Sequence, residues 1–337
     1  MKNRSCLLLS CLFLLVSCGE KKTEASVFIY NENDTFIRSL NHALQAELDG
    51  KGYSYSVKYA SNSQIQQNES IVDARDSGNS KRRFINLVDR LSSGAIIDKV
   101  SKKDIPVIFF NRQPLDADRI RGRKTNKNIF FVGTDPLFEG SSQAKRVETL
   151  FKTEDGLFSE YDKNHDGVIQ LALLKGEIGN QDTEKRSNSA LNTLKTDGYQ
   201  TEILASSYCN WSRDEAKVVR KDWYEQFGDK IELVLSNNDD RAIGAVDYLI
   251  ENDLVSDNPS DSLPFPVFGV DGTDIGIQYR QKGLLSGTVK NEEKKQAKTC
   301  VEIADCLLNN KELPDDFTET RANEYTVYVQ GKILSNL

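Results

Sequence analysis

The sequence predicts an α/β protein of two lobes, each a parallel β-sheet covered by helices on both faces. Three observations carry this expectation. Short apolar runs alternate with longer segments of helical period through most of the chain, and such alternation makes parallel sheets with helical crossovers. The chain has 337 residues, a length that usually divides into two domains. Clusters of Asn and Asp stand directly after successive strand-like runs, where sheets of this kind present their binding crevice.

The N-terminus reads as a leader. Lys2 and Arg4 precede an almost wholly apolar stretch, Cys6 to Val16, that ends in Leu15-Val16-Ser17-Cys18. The stretch falls short of the roughly 20 residues that cross a bilayer, and Gly19 to Lys22 after it turns polar at once. The Cys after Leu-Val-Ser resembles a bacterial lipobox, which predicts a signal peptide at 1–17, a lipidated Cys18 and a short tether over 18–25. An ordinary leader that happens to contain Cys18 is the plainer reading. Without the leader, 320 residues remain with a formal charge of −9, because Lys2 and Arg4 leave a chain whose charge is −7. This acidity has no basic stripe, which argues against a nucleic-acid partner. Three cysteines remain in the body, Cys209, Cys300 and Cys306. An odd number argues against a disulfide framework, and we read them as small core residues.

The elements follow in order. Ser26 to Tyr30 is a strand, and Phe36, Leu40, Ala43, Leu44 and Leu48 mark a helix over 36–48. Tyr53, Tyr55, Val57 and Tyr59 alternate with polar residues as a strand with one wetter face. Further strand cores are Ile105–Phe110, Ile129–Val132, Val168–Leu174, Ile231–Leu235, Phe265–Gly269 and Leu285–Val289. Helices are predicted at Phe138–Lys152, Asp182–Thr196, Ser212–Phe227, Asp239–Asn252 and Glu292–Asn310. Asp73 to Ser80 reads as a loop.

The strand ends carry Asn31 to Asp34, Asn111-Arg112, Gly176 to Asp182, Asn237 to Asp239, Asp271 and Asn291. Each alone is as readily a turn or helix-cap residue. Their concentration suits a polyol, because carboxylates, amides and Arg each take hydroxyls in pairs. Phe36 and Trp211 are candidates for flat faces against the C–H side of a sugar ring, with a core position as the other reading of Phe36.

A second cluster reads as a cation loop. Asp162, Asn164, Asp166 and Gln170 occupy positions 1, 3, 5 and 9 of an EF-hand-like loop, with the Val168 carbonyl at position 7 and Gly167 at the turn. Position 12, where a Glu is needed, is Leu173. The remaining oxygens must come from elsewhere in the chain, or the site is weak; a polar turn that holds no metal is the plainer reading. His165 falls between ligands and is predicted to face solvent.

Taken together, these residues resemble the bacterial periplasmic galactose/glucose-binding proteins over most of residues 26–337. The resemblance implies the type I periplasmic-binding-protein fold, two similar doubly wound lobes joined by a multi-crossing hinge. It divides the chain into 26–133 plus 293–322 and 134–292 plus 323–337, with crossings near Gly133-Thr134, Asn291 to Glu293 and Arg321 to Tyr325. It implies a structural calcium with Glu232 as the missing ligand. It carries sugar contacts onto Asp34, Phe36, Asn111, Asn180, Asp182, Arg186, Trp211, Asn238, Asp271 and Asn291. Asn180 stands where the family usually has His, and Ser70 to Lys81 departs from the family's helix followed by a strand.

The implied function is capture of D-glucose or D-galactose by closure of the lobes. Delivery to an ABC permease, or recognition by a chemoreceptor, would follow, by a monomer held in the periplasm through its N-terminal lipid. A glycoside hydrolase is the main alternative, together with a different small polar ligand. Hydrolysis needs a carboxyl with a raised pKa, and Arg186 beside Asp182 is expected to lower one. A repressor of the same fold would need a DNA-binding helix where the leader stands.

Overall fold

The computed structural model describes residues 24–76, 80–102, 104–151, 160–257, 263–313 and 321–335. The leader, Cys18 and most of the tether lie outside the described residues. The first lobe runs β1 (Ala25–Ile29), α1 (Thr35–Gly50), β2 (Tyr55–Tyr59), α2 (Gln64–Asp76), β3 (Arg82–Ile85), α3 (Ser93–Val100), β4 (Val107–Phe110), α4 (Asp116–Arg123) and β5 (Ile129–Gly133). The second runs α5 (Pro136–Phe151), β6 (Val168–Lys175), α6 (Gln181–Thr196), β7 (Gln200–Tyr208), α7 (Arg213–Phe227), β8 (Leu233–Ser236), α8 (Asp239–Glu251), β9 (Val267–Asp271), α9 (Asp274–Gln281) and β10 (Gly287–Lys290). Then come α10 (Glu293–Leu308), β11 (Arg321–Asn323), β12 (Thr326–Tyr328) and β13 (Lys332–Ser335).

The two sheets have orders β11-β12-β5-β4-β3-β1-β2 and β13-β10-β9-β8-β6-β7. Within them β5-β4-β3-β1-β2 and β10-β9-β8-β6-β7 are the same parallel arrangement repeated. In each, the strand order reverses beside the lobe's first strand, which opens a crevice at the carboxyl ends. The near-continuous apolar runs follow from burial on both faces. Ile108 and Phe110 of β4 pack with Leu40 and Leu44 of α1 and Val301 of α10. Val107 and Phe109 of the same strand pack with Ile96, Ile97 and Val100 of α3. In the second lobe Leu174 and Val234 face α7 and α8, while Leu171 and Leu233 face α5 and α6.

Three expectations change. First, Ser70 to Asp76 completes α2, and β3 follows, so the helix and strand that seemed missing are present; residues 77–79 lie outside the description. The sequence does not show this helix because Gln67 and Ile71 are its only buried residues, which leaves no apolar stripe. The strand was hidden by Arg82 and Arg83, both buried; Arg82 lies 4.0 Å over the Tyr53 ring and pairs with Asp305 at 2.8 Å. Second, the last crossing lies at 329–331 and not at 321–325. β12 pairs with β5, Thr326 opposite Phe131, and β13 pairs with β10 in the other lobe. Residues 323–328 therefore belong to the first sheet. Third, Cys209 and Cys300 are buried free thiols, but Cys306, in α10, is only half-buried.

Candidate functional site

The carboxyl ends of the two sheets face each other across a narrow polar cleft. From the first lobe, Asp34 caps α1 by accepting from the Ile37 amide at 2.9 Å, and its second oxygen accepts from the Tyr30 hydroxyl at 2.5 Å. Phe36 lines the cleft while packing into the α1 core. Asn111 holds a left-handed backbone, φ 61°, at the end of β4, and its Oδ1 accepts from Asn86 at 3.1 Å.

The second lobe repeats the device. Asn180 caps α6, its Oδ1 accepting from the Asp182 and Thr183 amides at 2.9 and 3.3 Å. Asn238 caps α8 by accepting from the Arg241 amide at 3.0 Å. The cap reading and the site reading of these residues thus hold together: three helix N-termini, with their partial positive charge, ring one polar cleft. Trp211 follows Asn210 in a turn with φ 63° and 42°. Gly176 makes room for its ring, since a Cβ there would stand 2.4 Å from the indole. The guanidinium of Arg241 lies 4.4 Å from the indole centre. Arg241 is fully buried, none of its three guanidinium nitrogens has a hydrogen-bond partner among the described residues, and burial lowers its pKa to about 10.

Arg186 sits between the cleft and the interior. Its Nε pairs with the buried Glu139, and one Nη donates to the Asn237 carbonyl at 2.7 Å. Asp271 ends β9 with φ 106°, and its carboxylate accepts from Asn291 at 3.1 Å. Burial raises the pKa of Asp271 well above the carboxylate range, with Arg186 opposing. Burial also outweighs Arg186 at Asp182, whose pKa is raised. That corrects the expectation of a lowered value: the Nε of Arg186 is directed to Glu139, so its relief of Asp182 is partial.

The oxygen-rich loop lies apart from the cleft. Asp162 accepts from the Asp166 and Gly167 amides at 3.3 and 3.1 Å, and Asp166 from the Val168 amide at 2.8 Å. The two oxygens of buried Glu232 accept from the Lys163 and Gln170 amides at 2.7 and 3.2 Å, which holds this distant carboxylate against the loop. The Oε1 of Gln170 is buried without a hydrogen-bond partner among the described residues. Among those residues no three His, Cys, Asp or Glu side chains converge tightly enough to make a metal site by themselves. Ligation there would need the amide and carbonyl oxygens as well. Hard oxygen donors with one buried acceptor left over fit a calcium-type ion. His165 is exposed, with φ 57°.

The family described as the periplasmic binding protein domain matches residues 25–312. The chain belongs to that family. Among its relatives, the D-galactose/methyl-galactoside binding periplasmic protein MglB of Haemophilus influenzae is 32% identical over 288 residues, 85% of this chain and 81% of that one. Solved structures share the fold, two of them as follows. A periplasmic solute binding protein from Actinobacillus succinogenes with bound D-allose superposes with TM-score 0.75 at 20% identity, covering 93% of this chain and 98% of that one. A solute binding protein from Bacillus halodurans with bound myo-inositol gives TM-score 0.72 at 22% identity, covering 94% and 96%.

In this periplasmic binding protein the cleft gathers nine of the ten residues singled out from the sequence. The tenth, Asn291, is 1% exposed and stands behind Asp271, where it orients that carboxylate without lining the cleft. Tyr30, Ile37 and Arg112 also line it. Arg112 adjoins Asn111, so its place after a strand was a signal for it. Glu139 and Arg241 carry no such mark, because each acts from within a helix on a residue distant in sequence.

Proposed function

We propose that the cleft captures one hexose, D-galactose or D-glucose, between the closing lobes for delivery to an ABC-type uptake permease, with a chemoreceptor as a further reader of the closed form. The observation that carries this reading is the cleft lining itself: three carboxylates, two guanidiniums and three amides, with Trp211 and Phe36 among them. A ligand made of hydroxyls is held well only where nearly all of them are paired. The MglB relative supports galactose. A different polyol is the second reading, favoured by the cap role of Asn180: its Oδ1 is committed to α6, so it can offer a sugar only its amino group.

We read the protein as a binder and not a glycosidase. Asp34 is engaged by a helix start and by Tyr30, and Asp271 by Asn291. Raised carboxyls at Asp182 and Asp271 follow from burial, a cost that hydrogen bonds from sugar hydroxyls would offset. Calorimetric titration of the mature chain with galactose, glucose, allose and myo-inositol tests the proposal. Micromolar or tighter binding of galactose or glucose supports it; binding of neither, by folded protein, refutes it. Incubation with aryl glycosides in the same preparation should release no product.

Export and a lipid on Cys18 belong to the same proposal, and a Cys18→Ser variant should move from the membrane to the soluble fraction. Calcium is also proposed, on the fit of Asp162, Asn164, Asp166, the Val168 carbonyl, Gln170 and Glu232. When bound, the ion supplies a positive charge that braces the start of β6 against the residues preceding β8. Calcium at about 100 times its Kd stabilises by about 2.7 kcal/mol, or a rise in melting temperature of about 5 °C or more. A chelator should remove the rise, and Glu232→Gln should show little of it. An unchanged melting curve with and without calcium would sink the assignment.

A further inference from the structure

Arg112 is bonded within its own lobe before it reaches the other. Its guanidinium lies 3.8 Å over the Tyr30 ring, and one Nη donates to the Val88 carbonyl. Its other Nη meets Glu177 Oε1 of the second lobe at 2.9 Å. One residue beyond Arg112 and four beyond Glu177 a second bond crosses the cleft, Gln181 Nε2 to Gln113 Oε1 at 3.1 Å, and Gln113 also accepts from the Tyr328 hydroxyl at 3.1 Å. The segment 111–113 thus supplies both a cleft amide and two bridges, and the turn from 177 to 182 answers it with Glu177 and Gln181 beside the cleft residues Asn180 and Asp182.

We propose that Arg112 and Glu177 form a latch, an ion pair made when the lobes close, which sets how long any ligand is retained without choosing between ligands. This rests on reading the cleft as a closing sugar site. Glu177 does not line the inner cleft, so it acts as a positioning residue through the closed form. A contact present only in the closed form adds the same free energy whichever ligand lies beneath it. The Tyr30 stack and the Val88 carbonyl hold the guanidinium in place beforehand, which keeps the ordering cost of closure low. The pair is well shielded, with side chains 8% and 25% exposed, so it should exceed an ordinary surface pair.

The test compares Glu177→Gln with wild type on the full mature chain, by stopped-flow and calorimetry, with two sugars that wild type binds. The expected result is a Kd weakened about 5- to 20-fold, by one common factor for both sugars and mostly through faster release. The melting temperature of the ligand-free protein should stay within about 1 °C. Glu177→Lys, which sets like charges against each other, should weaken binding further. Unchanged release, a factor that differs more than about threefold between sugars, or an equal loss of ligand-free stability would each overturn the latch. Wild type that binds no sugar would instead defeat the functional reading beneath it, a distinguishable result.

Discussion

Replacing Asp271 with alanine is expected to weaken hexose binding by about 100-fold or more while the ligand-free protein stays folded. Asp271 is 6% exposed at the end of β9, and Asn291 fixes the direction of its carboxylate. Hydrogen bonds to a charged group contribute about 1.5–3 kcal/mol each, and a carboxylate can accept from two sugar hydroxyls. Losing both amounts to about 3–6 kcal/mol, and every 1.4 kcal/mol is tenfold in Kd. The ligand-free fold should tolerate the change because this buried carboxylate is held at a raised pKa, so its removal also relieves a desolvation cost. Calorimetry with galactose or glucose, paired with a thermal melt, checks both halves. Binding by Asp271→Ala within tenfold of wild type would show that the carboxylate is not a ligand.

Glu139→Ala should act on both stability and binding. Glu139, in the first turn of α5, is fully buried and pairs with Arg186, itself 4% exposed. The contact is possible because Gly140 lets the helices approach: a Cβ there would stand 2.2 Å from the Arg186 carbonyl oxygen. Removing one partner of a buried pair leaves an uncompensated charge and typically costs about 3–5 kcal/mol. For a protein of this size that is a fall in melting temperature of about 10 °C. Arg186 also lines the cleft, so losing the group that holds its Nε should weaken sugar binding too. Glu139→Gln, which keeps an acceptor, should fall between the two. A melting temperature within about 3 °C of wild type for Glu139→Ala would contradict this account.

Much of the fold and the cleft was legible along the chain. The runs at Val107–Phe110 and Ile129–Gly133 are apolar on both sides because both faces of each strand are covered, and that pattern marks a parallel sheet at sight. The polar residues that follow such strands must lie at the carboxyl ends of the sheet, which marks the clusters at 31–34, 111–112, 176–182, 237–239 and 271, and the family resemblance picks Asp34, Asn111, Asn180, Asn238 and Asp271 out of them. Elements whose burial rests on unusual residues were not. α2 hides Gln67, β3 hides two arginines, and β7 is an edge strand with Ala205 its one buried residue.

The sequence by itself determined which loops make the site and that an oxygen-rich loop follows Tyr161, because both depend on local order: strand end, helix cap, ligand spacing. The tertiary structure decided the partners. It put Arg186 against Glu139, Asn291 behind Asp271, Arg241 over Trp211 and Glu177 across from Arg112. It also decided that burial outweighs Arg186 in setting the acidity of Asp182. These are distances between residues far apart in the chain and the solvent left around them, and neither quantity is carried by the order of side chains along a strand or helix.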